Sequence, residues 1–460
     1  MSLQNPAPKL SPAEYEQNFA ELHPPLSPNS AVMEASRCLY CFDSPCMHAC
    51  PTHIDISTFI KKISTGNLKG SAKTILESNW VPLTCAKACP VDVLCEGACV
   101  YNTRGEMPIQ IGRLQRYTMD WFYQTMPKLF EPAPKNGKSV GIIGSGPAGL
   151  ACAAEAALLG FEVTVYEAKD IAGGLDTWGI APYKMRQADS QKEIELIKSF
   201  GVKILTGVRV GQDKSIAGLE AAHDAIFIGA GLGRPSSLQI PGEELPGVIG
   251  ALEFIEQVKA EAFHTVEVGK RVAVIGAGNT AIDAVTEAKR LGAEQVMIIY
   301  RRGEEEMPAY EYEYDLAKKD GVVFHFLTAP KRIVGSAFVE GIECMKMKLG
   351  KPDASGRRSP EPIANSEFMV PVDMVIKSLG QSIEESFLSS IPQLKLDRGK
   401  VWVDEGTMQT SNPRYFAGGD CINGGKEVVN AAADGKRAAH GMLRHLFGEN
   451  KLAEAAKRRK

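Results

Sequence analysis

The spacing of apolar residues changes along the chain, and the changes mark its parts. Between Ala31 and about Met126, apolar positions recur every three or four residues, as in IDISTFIKKISTGN (54–67) and IGRLQRYTMDWFYQTM (111–126). That period predicts helices with one buried stripe. From Ser139 the pattern becomes short β-branched runs beside glycine and alanine. SVGIIGSGPAGLACAAEAALLGFEVTVYEA (139–168) and RVAVIGAGNTAIDAVTEAKRLGAEQVMIIYRR (271–302) each read as strand, glycine turn, alanine-rich helix and second strand. A third diagnostic stretch, SNPRYFAGGDCINGGKEVVNAAADGKRAA (411–439), predicts that the first nucleotide fold is completed late, with the second inserted into it.

Pro6, Pro8, Pro12, Pro24, Pro25 and Pro28 interrupt residues 1–30, where no period is sustained. An irregular arm is expected there, either a disordered tail or a segment that wraps a partner. EPAPKNGK (131–138) reads as a linker. The expected domains are therefore a helical one at 31–133, a nucleotide domain at 134–262 and 371–447, a second nucleotide domain inserted at 263–370, and a tail at 448–460. A length of 460 residues fits about three domains, and 44% hydrophobic residues can build a core in each. The formal net charge of −3, from 52 basic and 55 acidic residues, gives no field for nucleic acid or an anionic membrane. The N-terminus has no basic segment followed by an apolar core, and no apolar run reaches the roughly 18 residues of a membrane span, so a cytoplasmic protein is expected.

Eight of the 11 cysteines fall between Cys38 and Cys99. They are Cys38, Cys41, Cys46 and Cys50, the last before Pro51, then Cys85 and Cys89 before Pro90, and Cys95 and Cys99. In a reducing compartment such a concentration argues against disulfides and for thiolate ligation of metal. CxxC spacing with a cysteine before proline is how two-cluster ferredoxins hold iron and sulfur, the pre-proline cysteine reaching the other cluster. Spacing alone provides eight thiolates for two cubane clusters. Two structural zinc sites, each with four thiolates, are the alternative; a neighbouring dinucleotide-type fold favours electron transfer.

In the first glycine motif, Gly144 permits the tight turn, Gly146 lets backbone approach a pyrophosphate, and Gly149 allows close helix-to-strand packing. Glu167 closes the second strand 18 residues beyond Gly149, where a carboxylate can accept from ribose hydroxyls. The second motif reads Gly276, Gly278, Asn279, Thr280 and Ala281, with alanine in the third position. Its second strand ends in Arg301 and Arg302, whose guanidinium groups can pair with a 2′-phosphate, so NADPH is expected over NADH unless both arginines are simply solvated. No CxxC pair follows the first motif, which argues against a disulfide reductase.

These motifs together resemble the FAD and NAD(P)H module shared by the N-terminal half of dihydropyrimidine dehydrogenase and the small subunit of glutamate synthase. The resemblance rests on RCLYCFDSPCMHACP, TCAKACPVDVLCEGAC, both glycine motifs, DAIFIGAGLG (224–233) and RYFAGGD (414–420), and spans residues 31 to about 445. It implies an α/β chain in which a helical double 4Fe-4S domain precedes two Rossmann-like nucleotide-binding domains, the NAD(P) domain inserted into the FAD domain. It also implies cluster ligands Cys38, Cys41, Cys46 and Cys99 for one cluster, and Cys50, Cys89, Cys95 and Gln115 for the other. Cys85 is then a spare thiol, and the role of Gln115 rests wholly on the resemblance. Gly173, Gly174 and Leu175 are placed along the flavin by the same likeness, with Gly419 and Asp420 near its ribityl chain and the helix starting near Glu427 aimed at the isoalloxazine.

Gln115, with CPTHIDISTF and LTCAKACP, resembles the pyrimidine branch, whereas YRRGEEEMP and KPDASGRRSP are at least as similar to glutamate synthase. The expected protein is an NAD(P)H-oxidising subunit that feeds electrons through FAD and two 4Fe-4S clusters. Its expected partner is an FMN- and Fe-S-containing dihydropyrimidine dehydrogenase catalytic subunit, in a heterotetramer that reduces uracil or thymine. The alternatives are the small subunit of NADPH-dependent glutamate synthase and a related ferredoxin:NADP oxidoreductase or transhydrogenase. No residue of this chain is expected to be catalytic in its own right.

Overall fold

The computed structural model describes residues 3–352 and 358–451, so most of the tail expected at 448–460 lies outside the described residues. The chain forms two compact units. One is Met1–Leu22, Trp178–Tyr183 and Pro235–Gln381; the other is His23–Thr177, Lys184–Arg234 and Ser382–Lys460. The strands of their two parallel sheets are, in chain order, β1 (Ser139–Ile143), β2 (Glu162–Tyr166), β3 (Lys203–Leu205), β4 (Ala225–Ile228), β5 (Val248–Gly250), β6 (Arg271–Ile275), β7 (Gln295–Ile299), β8 (Val323–His325), β9 (Met374–Lys377) and β10 (Tyr415–Ala417).

In the larger unit the sheet order is β10-β4-β1-β2-β3 with every pairing parallel. Strands β1, β4 and β10 are buried almost throughout, as the near-continuous Val, Ile and Phe runs require when helices cover both faces of a sheet. The late strand β10 pairs with β4, Tyr415 opposite Ile226 and Ala417 opposite Ile228. The first nucleotide fold is therefore completed by the C-terminal segment. The alanine-rich helix Pro147–Leu158 is buried along nearly its whole length because the long helix Val428–Phe447 packs against it. Small side chains let the two backbones approach: a Cβ added at Gly435 would stand 2.0 Å from the Ala148 carbonyl oxygen.

The N-terminal part of this unit is helical: Ile56–Ser64, Leu68–Ser78, Pro82–Ala88 and Ile111–Thr125 surround a core of Phe59, Ile60, Ile63, Ile75, Leu76, Leu114 and Phe122. That core runs without a break into the fold of β1–β4 and β10, the flavin-type fold of the sequence expectation, joining Trp80 to Phe130 and Phe200 by edge-on ring contacts at 5.2 and 5.5 Å.

The smaller unit has the order β5-β9-β6-β7-β8, again parallel, with the helix Asn279–Arg290 behind the glycine turn. Two features differ from the sequence expectation. An antiparallel sheet of Thr328–Val334, Gly341–Pro352, Arg358–Pro362 and Phe368–Pro371 accompanies the parallel one; its half-exposed strands alternate charged and apolar residues too irregularly to be read beforehand. The N-terminal arm is also not simply irregular. Ser11 caps the helix Pro12–Asn18 and Glu14 reaches back to the Ser11 amide, a capping box that the surrounding prolines obscure. Tyr15 and Phe19 are buried, and Phe19 stacks on Phe263 with ring centroids 4.0 Å apart.

Candidate iron-sulfur and nucleotide sites

The cysteines gather around two cavities in the helical part of the larger unit. Cys38, Cys41, Cys46 and Cys99 line the first, against Ile56, Ile60, Ile109 and Ile111. Cys50, Cys85, Cys89, Cys95 and Gln115 line the second, with Asn79, Leu94 and Val429. Local structure explains the split. Cys46 lies in the short helix Pro45–Ala49, and Cys50 ends it in extended conformation before Pro51, so the two sulfurs are directed into different cavities. Cys85 and Cys89 are one turn apart at the end of Pro82–Ala88 and share the second.

All eight thiols are free of disulfides. Burial, then the nearby Cys38 charge, pushes Cys46 up to about 12. Cys95 is held well above the usual thiol range by burial and by Glu96, and Cys89 by its hydrogen bond with Cys85 and by burial. Thiols so crowded and desolvated ionise only when a cationic centre compensates them, and a thiolate-ligated iron core is such a centre. Among the described residues no three His, Cys, Asp or Glu converge on the position of a single metal ion; the sulfurs line cavity walls instead. Gln115 is buried, and its amide nitrogen donates to the Pro82 carbonyl at 2.7 Å, which leaves the amide oxygen as the end that can face a metal.

The second cavity is built partly by the flavin-type fold. Val429, in the first turn of Val428–Phe447, forms part of its wall. The helix Pro82–Ala88 has no side-chain cap of its own, because Val81 occupies the N-cap position. Glu193, from the helix Gln187–Lys198, supplies one: its carboxyl group accepts from the Leu83 amide at 2.6 Å, the Thr84 amide at 3.1 Å and the Thr84 hydroxyl at 2.5 Å. Burial outweighs the Thr84 hydroxyl and, with Asp176 beside it, pushes Glu193 up to about 8. Lys87 donates to buried Asp189 at 2.6 Å on the same helix pair. Buried Glu155 joins the Trp80 indole at 2.9 Å to His440 at 2.5 Å. None of these contacts was foreseen, since an acid within an amphipathic helix looks like a solvated residue until its neighbours are known.

At the first glycine turn, Gly144 has φ +91°, and a Cβ there would stand 2.5 Å from the Gly229 carbonyl oxygen. A Cβ on Gly149 would stand 2.0 Å from the Gly144 carbonyl oxygen. Gly146 differs: only the Gly174 Cα lies as near as 4.0 Å, so the space above it is open, as a pyrophosphate cradle must be. Glu167 is buried and accepts from the Ser145 amide at 3.0 Å and the Lys169 amide at 2.8 Å, which fixes its carboxylate beside the turn. The Ser145 hydroxyl in turn accepts from the Gly173 amide at 2.9 Å. Gly174 packs against Gly146, whereas Leu175 is exposed. The Gly419 amide donates to Asp434 at 3.0 Å, and burial raises the pKa of Asp420, whose carboxylate accepts from the Lys426 amide at 3.2 Å.

In the smaller unit, a Cβ on Gly276 would stand 2.1 Å from the Ser378 carbonyl oxygen, and Gly278 again faces open space. Asn279 accepts from the Tyr310 amide at 3.0 Å, Thr280 is half-buried and Ala281 packs into the core. Arg301 is exposed, whereas the Nε of Arg302 is buried without a hydrogen-bond partner among the described residues, a donor that an anionic group can satisfy.

Comparison with known proteins agrees with this geometry. A family model described as dihydropyrimidine dehydrogenase domain II, 4Fe-4S cluster, matches residues 15–126. One described as pyridine nucleotide-disulphide oxidoreductase matches residues 138–435, more than half of the chain. The glutamate synthase [NADPH] small chain of Escherichia coli (strain K12) is 34% identical over 97% of this chain and 98% of its own length. The chain belongs to the glutamate synthase small-chain family. The NADP(+)-dependent formate dehydrogenase subunit beta of Moorella thermoacetica is also similar, 36% identical over 88% of this chain and 60% of its own. The fold is also that of Mycobacterium tuberculosis FprA in complex with NADPH, with TM-score 0.57 and 21% identity over 71% of this chain and 89% of that one. The match to the small chain supports the glutamate synthase alternative better than the expected pyrimidine branch, which the N-terminal family model's description mentions without establishing it. Among the described residues of this family member, no helix is long and apolar enough to cross a membrane.

Two predictions come from these sites. Glu193→Leu orphans two buried amides and costs about 2–5 kcal/mol in denaturant unfolding, whereas Glu193→Gln, which can still accept from both, costs under about 1 kcal/mol. The carboxyl's folded pKa, about 8, lies above its ordinary 4.5, so its contribution to stability is full below pH 4.5 and lost as pH rises through 8. Glu193→Gln should accordingly narrow the difference in urea midpoint between pH 5 and pH 8; an unchanged difference contradicts the assignment. Separately, Gly146→Ala should keep apoprotein stability but lose most bound flavin, while Gly149→Ala should lower both, as read by thermal unfolding and by flavin absorbance.

Proposed function

We propose that the protein is the NADPH-oxidising electron-input subunit of a larger reductase, holding FAD in the larger unit's parallel fold, NADPH at the second glycine turn and one 4Fe-4S cluster in each cysteine cavity. When bound, these groups supply hydride transfer from nicotinamide to flavin and one-electron transfer from flavin to iron and sulfur. The observation that carries the reading is the second cavity: its wall includes Val429, from the helix that completes the flavin-type fold, so cluster and flavin share one packed body. The chain's own residues do the holding. Cys38, Cys41, Cys46 and Cys99 would ligate one cluster, and Cys50, Cys89, Cys95 and Gln115 the other. Gly144, Gly146, Gly149 and Glu167 would bind the adenosine pyrophosphate of FAD, with Gly173, Gly174, Leu175, Gly419 and Asp420 along its remaining length. Gly276, Gly278, Asn279, Thr280 and Ala281 would hold the NADPH pyrophosphate, and Arg301 and Arg302 its 2′-phosphate.

For the terminal reaction, the reading best supported is glutamate synthase, with a large partner subunit, because a small chain of that enzyme matches this one nearly end to end. Gln115 favours a second reading, pyrimidine reduction by an FMN-containing partner, since with CPTHIDISTF and LTCAKACP it resembles the pyrimidine branch.

Arg301→Ala combined with Arg302→Ala should raise the KM for NADPH at least tenfold and leave that for NADH nearly unchanged in a dye-reduction assay. Equal effects would argue that NADH is the natural donor. Anaerobic purification from the native cells should bring down the partner: NADPH oxidation dependent on glutamine and 2-oxoglutarate supports the first reading, and oxidation dependent on uracil supports the second.

A further inference from the structure

The second cavity offers one donor more than a cubane cluster needs. Cys50, Cys89 and Cys95 leave one corner, and both Gln115 and Cys85 line the same space. Cys85 is 4% exposed and precedes Cys89 by one helical turn, the Cys89 amide donating to the Cys85 carbonyl at 3.0 Å. Besides Cys89, its sulfur has a second partner. Asn79, 1% exposed, accepts from the Val81 amide at 2.9 Å through Oδ1, which fixes its amide so that Nδ2 donates to the Cys85 Sγ at 3.1 Å.

The direction of that hydrogen bond is informative. Cys421, another fully buried thiol, acts as a weak donor to the Gly418 and Ile228 carbonyls at 3.4 and 3.6 Å, the ordinary condition of a structural cysteine. Cys85 instead accepts from the buried Asn79 amide, which holds its sulfur in place on the wall of the cavity that Cys50, Cys89 and Cys95 also line. Gln115 is tied to the same element, since its Nε2 donates to the Pro82 carbonyl at the start of the Cys85 helix. Both donors are thus positioned by one helix.

We propose that Cys85 is a reserve ligand, which takes the fourth corner of the cluster when the Gln115 carbonyl leaves it. The inference rests on the reading of this cavity as a cluster site. In the exchange the Cys85 thiol releases its proton to solvent as the sulfur binds iron, and the neutral Gln115 carbonyl departs. No electron moves, and the ligand set becomes one charge more negative, which lowers the reduction potential.

The test compares iron, acid-labile sulfide, bound FAD and redox titration by electron paramagnetic resonance in four proteins purified anaerobically. These are the wild type, Cys85→Ala, Gln115→Leu and the double variant, with FAD content reporting that each chain is folded. Where the leucine variant does not retain FAD, Gln115→Ala takes its place. Cys85→Ala should keep wild-type iron. Gln115→Leu should also keep it, with one cluster signal moved to lower potential. The double variant should lose about half of the iron while retaining FAD. Loss of half the iron from Gln115→Leu alone, from Cys85→Ala alone, or from neither single nor double variant would overturn the reserve role. A wild type without acid-labile sulfide would overturn the cluster reading instead.

Discussion

The arrangement depends most on a carboxyl group that caps a helix belonging to another part of the fold. Pro82–Ala88 begins at Val81, which has no side-chain oxygen to satisfy its first amides, and these amides are buried. Orphaned buried donors cost roughly 1–3 kcal/mol each, so the helix is stable only where Glu193 meets it. That same helix carries Cys85 and positions Cys89. The cap therefore couples the geometry of the second cysteine cavity to the flavin-type fold.

The neighbouring contacts act in the same direction. Lys87 and Asp189 are both nearly inaccessible to solvent; such a pair contributes little net attraction beyond its desolvation cost, but removing one partner leaves a buried charge, so it enforces a single docking geometry. Trp80 adds direction through the indole N–H to Glu155 and area through Phe130 and Phe200. With a continuous apolar core beneath these contacts, the helical domain and the flavin-type fold form one body.

Much of this was legible in the residues because it follows from local rules. Glycines at 144 and 149 are demanded by carbonyl oxygens 2.5 and 2.0 Å from any added Cβ, and the β-branched runs could only be strands of covered parallel sheets. The segment around RYFAGGD announced a late return to the first sheet, and β10 makes that return beside β4. What could not be read were pairings set by tertiary neighbours. Glu193, Glu155 and Asp189 sit in helices whose pattern does not distinguish a buried acid from a solvated one. The spare status given to Cys85 missed the buried Asn79 that faces its sulfur, because the two residues become partners only through the turn at Val81. The arm at residues 1–30 hid a seven-residue helix whose capping box, Ser11 and Glu14, was present but overshadowed by prolines.

The central claim is that the two cysteine cavities hold iron-sulfur clusters fed from reduced nicotinamide through a flavin on the same chain. The most direct measurement is freeze-quench electron paramagnetic resonance of the anaerobically purified protein mixed with NADPH, alongside quantification of iron, sulfide and FAD. The account predicts two 4Fe-4S clusters per FAD, with at least one cluster signal growing as flavin absorbance recovers after its initial bleaching. Flavin that bleaches and stays reduced in a protein devoid of iron and sulfide, or one containing zinc in their place, would contradict it.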